Sequence, residues 1–110
     1  MKPIHIVTYK QDTGKKPFTE WLMDLDKNSR LTIITRLGRI ENGNFGDCKQ
    51  LTKASGIWEF RINHGPGYRV YFGKQGPIII VLLIGGDKGS QARDIKKAEK
   101  YWLDYKESTT

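Results

Sequence analysis

The sequence has one cysteine, Cys48, so no internal disulfide can form and a reducing cytoplasm suits the chain. It has only two histidines, His5 and His64, and no histidine and cysteine cluster with metal-ligand spacing. A serine triad would need a histidine, and neither one sits in a recognisable partner motif. There is no P-loop and no dinucleotide-binding glycine fingerprint; the glycines at 65, 67, 85 and 86 read as turn glycines. The longest apolar run, residues 78–84, is far shorter than the roughly 20 residues a bilayer-spanning helix takes. Met1-Lys2-Pro3 leads into a short strand without the apolar stretch of a secretory signal. Repeats and linkers are also absent. The expectation is a cytoplasmic protein with no membrane partner which, if an enzyme, works with no metal or organic cofactor.

What is present is a surplus of positive charge on an ordinary globular composition. With 37% hydrophobic and 28% charged residues, the 110-residue chain resembles a soluble globular protein, read as a single domain over residues 1–110. Nineteen Lys and Arg against twelve Asp and Glu give a net charge of +7. The isoelectric point is about 9.6. Such a balance favours anionic partners: RNA, DNA, an acidic protein or a membrane surface.

The periodicities predict the order β-α-α-β-β-β-α, an α+β fold with an antiparallel or mixed sheet of about four strands. Residues 4–9 read as a strand and 11–16 as a loop. Pro17 suits the first turn of a helix carrying Phe18, Trp21, Leu22 and Leu25. Asn28 or Ser29 is placed to cap a second helix. Its stripe is Leu31, Ile34, Leu37 and Ile40, widened by Ile33, and Asn42-Gly43-Asn44 stops it. Residues 45–55 are irregular, with a short strand near 49–51. Residues 78–84, apolar throughout, suit a central strand that Gly85-Gly86 ends. Ser90 is placed to cap a last helix with Ala92, Ile95, Ala98, Trp102 and Tyr105 on one face, fraying from Glu107 to Thr110. Trp21, Trp58 and Trp102 fall on apolar stripes and read as core.

The stretch Gly56-Ile-Trp-Glu-Phe-Arg-Ile-Asn-His-Gly-Pro-Gly-Tyr-Arg-Val-Tyr-Phe72 reads as a β-hairpin. Side chains alternate faces along a strand, so Trp58, Phe60 and Ile62 share one face with Tyr68, Val70 and Phe72. Glu59 and Arg61 then share the other with Arg69 and Tyr71. That face is expected to be a cationic, partly concave surface suited to phosphate. Arg61 pairs with either Arg69 or Tyr71, and both registers require an odd number of loop residues.

The candidate site residues follow. Arg61 and Arg69 are phosphate ligands or, alternatively, surface ion-pair partners of Glu59. Lys88 projects just beyond the apolar strand, with Asp87 beside it. His64 in the turn, Tyr71 and Asp87 are candidates for acid or base work. Lys96, Lys97 and Lys100 on the outer side of the last helix are candidate RNA contacts.

Four segments carry a family resemblance: Gly56-Ile-Trp-Glu-Phe-Arg-Ile, Gly67-Tyr-Arg-Val-Tyr-Phe, Val81-Leu-Leu-Ile-Gly-Gly-Asp-Lys88 and Asp94-Ile-Lys-Lys-Ala98. Together they resemble the RelE/ParE toxin superfamily. Within it the chain is most similar to the HigB-like addiction module killer proteins, a group related to a phage Gp49 family. The resemblance covers nearly the whole chain, most specifically its second half. It implies a microbial-RNase-like fold and a cognate antitoxin with a helix-turn-helix DNA-binding domain. It also implies metal-independent cleavage of mRNA on the ribosome, with the neighbouring 2′-hydroxyl as nucleophile. Other members of the superfamily inhibit DNA gyrase instead, and a nucleic-acid-binding module without catalysis is a third reading. By this resemblance Arg69, in Tyr68-Arg69, holds the scissile phosphate, and Arg61 and Lys88 supply further positive charge. Glu59 stands where a ribosome-dependent relative has a basic residue. Asp94 stands near where some relatives carry a tyrosine. The general base is therefore unassigned among Tyr71, His64, Asp87 and Lys88; an arginine stays protonated and does not serve. On this reading Arg69→Ala leaves the fold nearly intact.

Overall fold

The computed structural model describes residues 3–54 and 56–109. Expectations touching Met1, Lys2, Ser55 and Thr110 lie outside the described residues. The strands are β1 (His5–Thr8), β2 (Cys48–Gln50), β3 (Ile57–Ile62), β4 (Tyr68–Gln75) and β5 (Ile79–Asp87). The helices are α1 (Pro17–Met23), α2 (Lys27–Glu41) and α3 (Gln91–Ser108), the last entered through a 3₁₀ turn, Lys88–Ser90. One mixed sheet forms in the order β1-β5-β4-β3-β2. β1 runs parallel to β5 and all other pairs are antiparallel. The fold is thus the expected α+β type, with five strands rather than about four. β4 is the central strand, and β5 lies between it and β1. β5 is nevertheless buried on both faces, as its unbroken apolar run implied.

The sheet has helices on both sides because both of its faces are apolar. Phe60, Ile62, Tyr68, Val70 and Phe72 pack with Phe18, Leu22, Ile33 and Ile40 of α1 and α2. Ile57, Tyr71, Val81 and Leu83 pack with Ala98 and Trp102 of α3. Trp102 is buried, whereas Trp21 and Trp58 are half-buried at the margin of the first core. The arginine-bearing face is therefore not an open surface: α3 roofs most of it and leaves one end free.

Several element-level expectations change. Leu31 and Ile34 point to solvent, 49% and 47% exposed, while Ile33 and Ile40 are fully buried. A helix turns about 100° per residue, so a repeat of three drifts about 60° per step off the buried seam. The seam instead follows Ser29, Ile33, Leu37 and Ile40. The helix cap is Asp26, not Asn28 or Ser29: its carboxylate accepts from the Ser29 N–H at 3.1 Å. On α3, Ala92 is exposed and the buried positions are Asp94, Ala98 and Trp102. The tail expected to fray from Glu107 continues the helix to Ser108.

Gly85 and Gly86 do not end β5; both lie inside it. A Cβ on Gly85 would run into the Trp21 ring, and one on Gly86 into the Asp94 carboxylate and Ser90 Oγ. The pair makes room on opposite faces of one strand, which a turn reading misses. Just before them the register shifts: Tyr71 pairs with Ile84 but Phe72 with Leu82. This bulge lets Leu83 and Ile84 both face α3, and it places Gly86 opposite Arg69.

Candidate active site

Alternation on the hairpin sets the site. Arg61 pairs directly with Arg69, and Ile62 with Tyr68, so five residues, 63–67, form the loop. The loop is odd in length, as a shared arginine face requires. Gly67, at φ +83°, takes a left-handed conformation that favours glycine. Its carbonyl accepts from the Lys88 N–H at 3.0 Å, tying the hairpin loop to the end of β5. Arg61, Arg69 and Lys88 thereby come together in one cleft of about 280 Å³, with Asp47, Asn63 and Tyr68 among its walls.

Two like charges directly opposite on a sheet repel, and here a carboxylate offsets them. Glu59 is fully buried. Its Oε1 lies 3.2 Å from Arg61 Nε and its Oε2 3.8 Å from Arg69 Nε. Gln91, the first residue of α3, bridges the same groups. It accepts from Arg69 Nη1 at 2.9 Å and donates to Glu59 Oε2 at 3.3 Å. The Arg69 side chain is only 14% exposed and that of Arg61 41%. Arg69 is therefore not a free surface residue, and Arg69→Ala would leave a buried carboxylate short of a partner. That corrects the expectation of a nearly intact fold.

A second arginine network builds the cleft wall. Arg36 of α2 donates to the carbonyls of Arg61, Phe45 and Asp47. The Arg61 N–H also donates to the Asp47 carbonyl, at 2.9 Å. The loop before β2 is thus fastened to β3, with Asp47 at the cleft.

The other sequence candidates lie elsewhere. Tyr71 shares the arginine face but is fully buried, and its hydroxyl is buried without a hydrogen-bond partner. Burial, then the nearby Glu59 carboxylate, pushes its phenol well above the usual tyrosine range. His64 stacks beside the Tyr68 ring, with centroids 6.5 Å apart. It lines a different groove, of about 600 Å³, against Leu31, Arg36 and Arg39 of α2. Asp87 caps the 3₁₀ turn, accepting from the Gly89 and Ser90 N–H groups at 2.8 and 3.1 Å. Lys96, Lys97 and Lys100 are exposed on α3, outside the cleft. Sequence reasoning missed Asp47 and Gln91, which reach the site from a loop and a helix start. It named Glu59 without foreseeing its burial. No cluster of three His, Cys, Asp or Glu side chains suited to a metal occurs among the described residues. No helix among them is long and apolar enough to cross a membrane.

A mixed sheet between helices, with a cationic cleft at the end of its central hairpin, agrees with the RelE-like class of toxin. Residues 20–102 match the family described as "Phage derived protein Gp49-like (DUF891)". A Haemophilus influenzae protein bearing the name "Uncharacterized protein" is 43% identical over 83 residues, covering 74% of this chain and 82% of that one. The chain belongs to the Gp49-like family, a RelE-like family associated with toxin–antitoxin toxins.

Proposed function

We propose that this protein is the toxin of a HigB-like toxin–antitoxin module and a ribosome-dependent mRNA endonuclease. The observation that carries the reading is the convergence of Arg61, Arg69 and Lys88 on one cleft. The 2′-hydroxyl oxygen of the RNA bonds to the adjacent phosphorus while the bond from phosphorus to the 5′-oxygen breaks. A base takes the 2′-hydroxyl proton, and an acid returns one to the departing 5′-oxygen. Charge builds on the phosphoryl oxygens in between, where prealigned cationic donors are worth most. Of the candidate bases, Lys88 lines the cleft and Asp47 joins it there, whereas His64 lies in a different groove, Asp87 caps the 3₁₀ turn, and burial removes Tyr71. The exposed Lys96, Lys97 and Lys100 would hold the RNA backbone further out.

The partner in this reading is a helix-turn-helix antitoxin whose acidic side chains meet the +7 charge of the toxin. Co-expression should yield a stable complex that does not arrest growth; full toxicity beside the partner would count against it. Because RelE/ParE-type proteins also include gyrase inhibitors, the test must separate two targets. Brief induction should stop translation, and new mRNA ends should appear before replication slows. An early replication block with intact mRNA would instead favour the gyrase reading.

A further inference from the structure

Glu59 stands out as a fully buried carboxylate, paired across the strands with Tyr71 and held between Arg61 and Arg69, where taking a charge out of water is costly. Its contacts engage the Nε edge of each guanidinium and, through Gln91, one Nη of Arg69. Among the described residues, the Nη groups of Arg61 and the second Nη of Arg69 donate to no protein acceptor. The carboxylate thus grips the inner edges of two mutually repelling cations and leaves outer donors for an oxyanion.

We propose that Glu59 is a positioning residue: a buried counter-ion that, with Gln91, holds Arg61 and Arg69 in the geometry that receives the reacting phosphate. This rests on the phosphate role proposed above for the two arginines. It also explains why an acid is tolerated where more positive charge would bind RNA more tightly. The carboxylate gives up some affinity and fixes two long, flexible side chains, which must not reorganise when charge develops.

The test uses Glu59→Gln and Gln91→Ala with two readouts, one of them independent of catalysis. In ¹⁵N-labelled wild-type protein, the Nε–Hε signals of Arg61 and Arg69 should be dispersed and protected from water exchange. In Glu59→Gln both should move toward the position of free arginine and exchange faster. In Gln91→Ala, which removes an amide and leaves the carboxylate in place, the Arg69 signal should loosen more than that of Arg61. On programmed ribosomes, Glu59→Gln should lower kcat about 100-fold, the scale of a misplaced catalytic group. KM should stay level or fall, because the cleft gains a positive charge. A purely structural Glu59 predicts lower melting temperature but unchanged kcat per folded molecule, and that result would overturn the proposal. Unchanged arginine signals in folded Glu59→Gln would overturn it too. Should Glu59→Gln fail to fold, an unaltered Arg69 signal in Gln91→Ala is the overturning result. If the wild type cuts no RNA, the functional reading falls while the arginine signals still decide on positioning.

Discussion

Arg69 faces Arg61 across the hairpin, and Glu59 and Gln91 hold it beneath α3. Strand alternation is local, so it put Arg61 and Arg69 on one face and fixed an odd loop, and both follow from side-chain parity. Burial is not local. Glu59 disappears under α3, and Gln91 reaches it across a separation no period encodes. The consequence can be tested on two substitutions. Arg69→Ala should cost about 3 kcal/mol of stability, the low end for breaking a buried pair, since Glu59 keeps Arg61 and Gln91. Arg69→Lys should stay closer to wild type in melting temperature, because it leaves a cation beside Glu59. It should still lose most toxicity, because lysine lacks the planar two-pronged donor. Melting curves and growth arrest on the same proteins check this. An Arg69→Lys variant that is folded and fully toxic would remove Arg69 from the site.

At the level of elements, apolar patterns located the three helices and strands β1, β3, β4 and β5, whereas β2, which has no apolar run, was expected only as a short strand near 49–51; the other failures came where packing overrode a local signal. Gly85-Gly86 looked like a stop because glycine pairs punctuate chains. Here they admit Trp21 on one face and Asp94 on the other. Alanine at either position should therefore destabilise by about 1–3 kcal/mol through overpacking. A strand that merely ended there would tolerate both, and thermal melts of Gly85→Ala and Gly86→Ala separate the two accounts. The α2 stripe failed for a related reason: a repeat of three is apolar in sequence but drifts around the helix, so Leu31 and Ile34 face water. The cap of α2 gives a pH test. Hydrogen bonds from Ser29 hold the Asp26 carboxyl below its usual range. A depressed value adds stability that is present above the unfolded-state pKa and is lost as pH falls through the folded one. Asp26→Ala should thus melt lower than wild type at neutral pH, and the gap should close in acid. A gap that persists unchanged in acid would show that the carboxylate charge is not what caps α2.

The whole molecule is a sheet with two cores, and its surface carries a surplus of positive charge. Each core face has a different use: the α1–α2 face supplies packing, and the α3 face combines packing with the arginine cleft. The second core also buries two phenols. Tyr9 is raised above the usual tyrosine range by burial and by its hydrogen bond to Asp104, and Tyr71 by burial and Glu59. A raised folded-state value adds stability that is complete below the unfolded tyrosine pKa of about 10. That stability is lost as pH rises through the folded value. An ultraviolet titration should therefore show Tyr9 and Tyr71 resisting ionisation until the protein unfolds in base. Ionisation of Tyr9 and Tyr71 in the folded protein near the ordinary tyrosine range would contradict this burial. The central claim, that the cleft cuts RNA on the ribosome, is tested most directly with purified protein and ribosomes carrying a defined mRNA. Cleavage should fall within the ribosome-bound codon and leave a 2′,3′-cyclic phosphate at the new end, and both should be lost with Arg69→Lys at unchanged ribosome binding. Intact mRNA under the wild-type protein, or equal cleavage by Arg69→Lys, would contradict it.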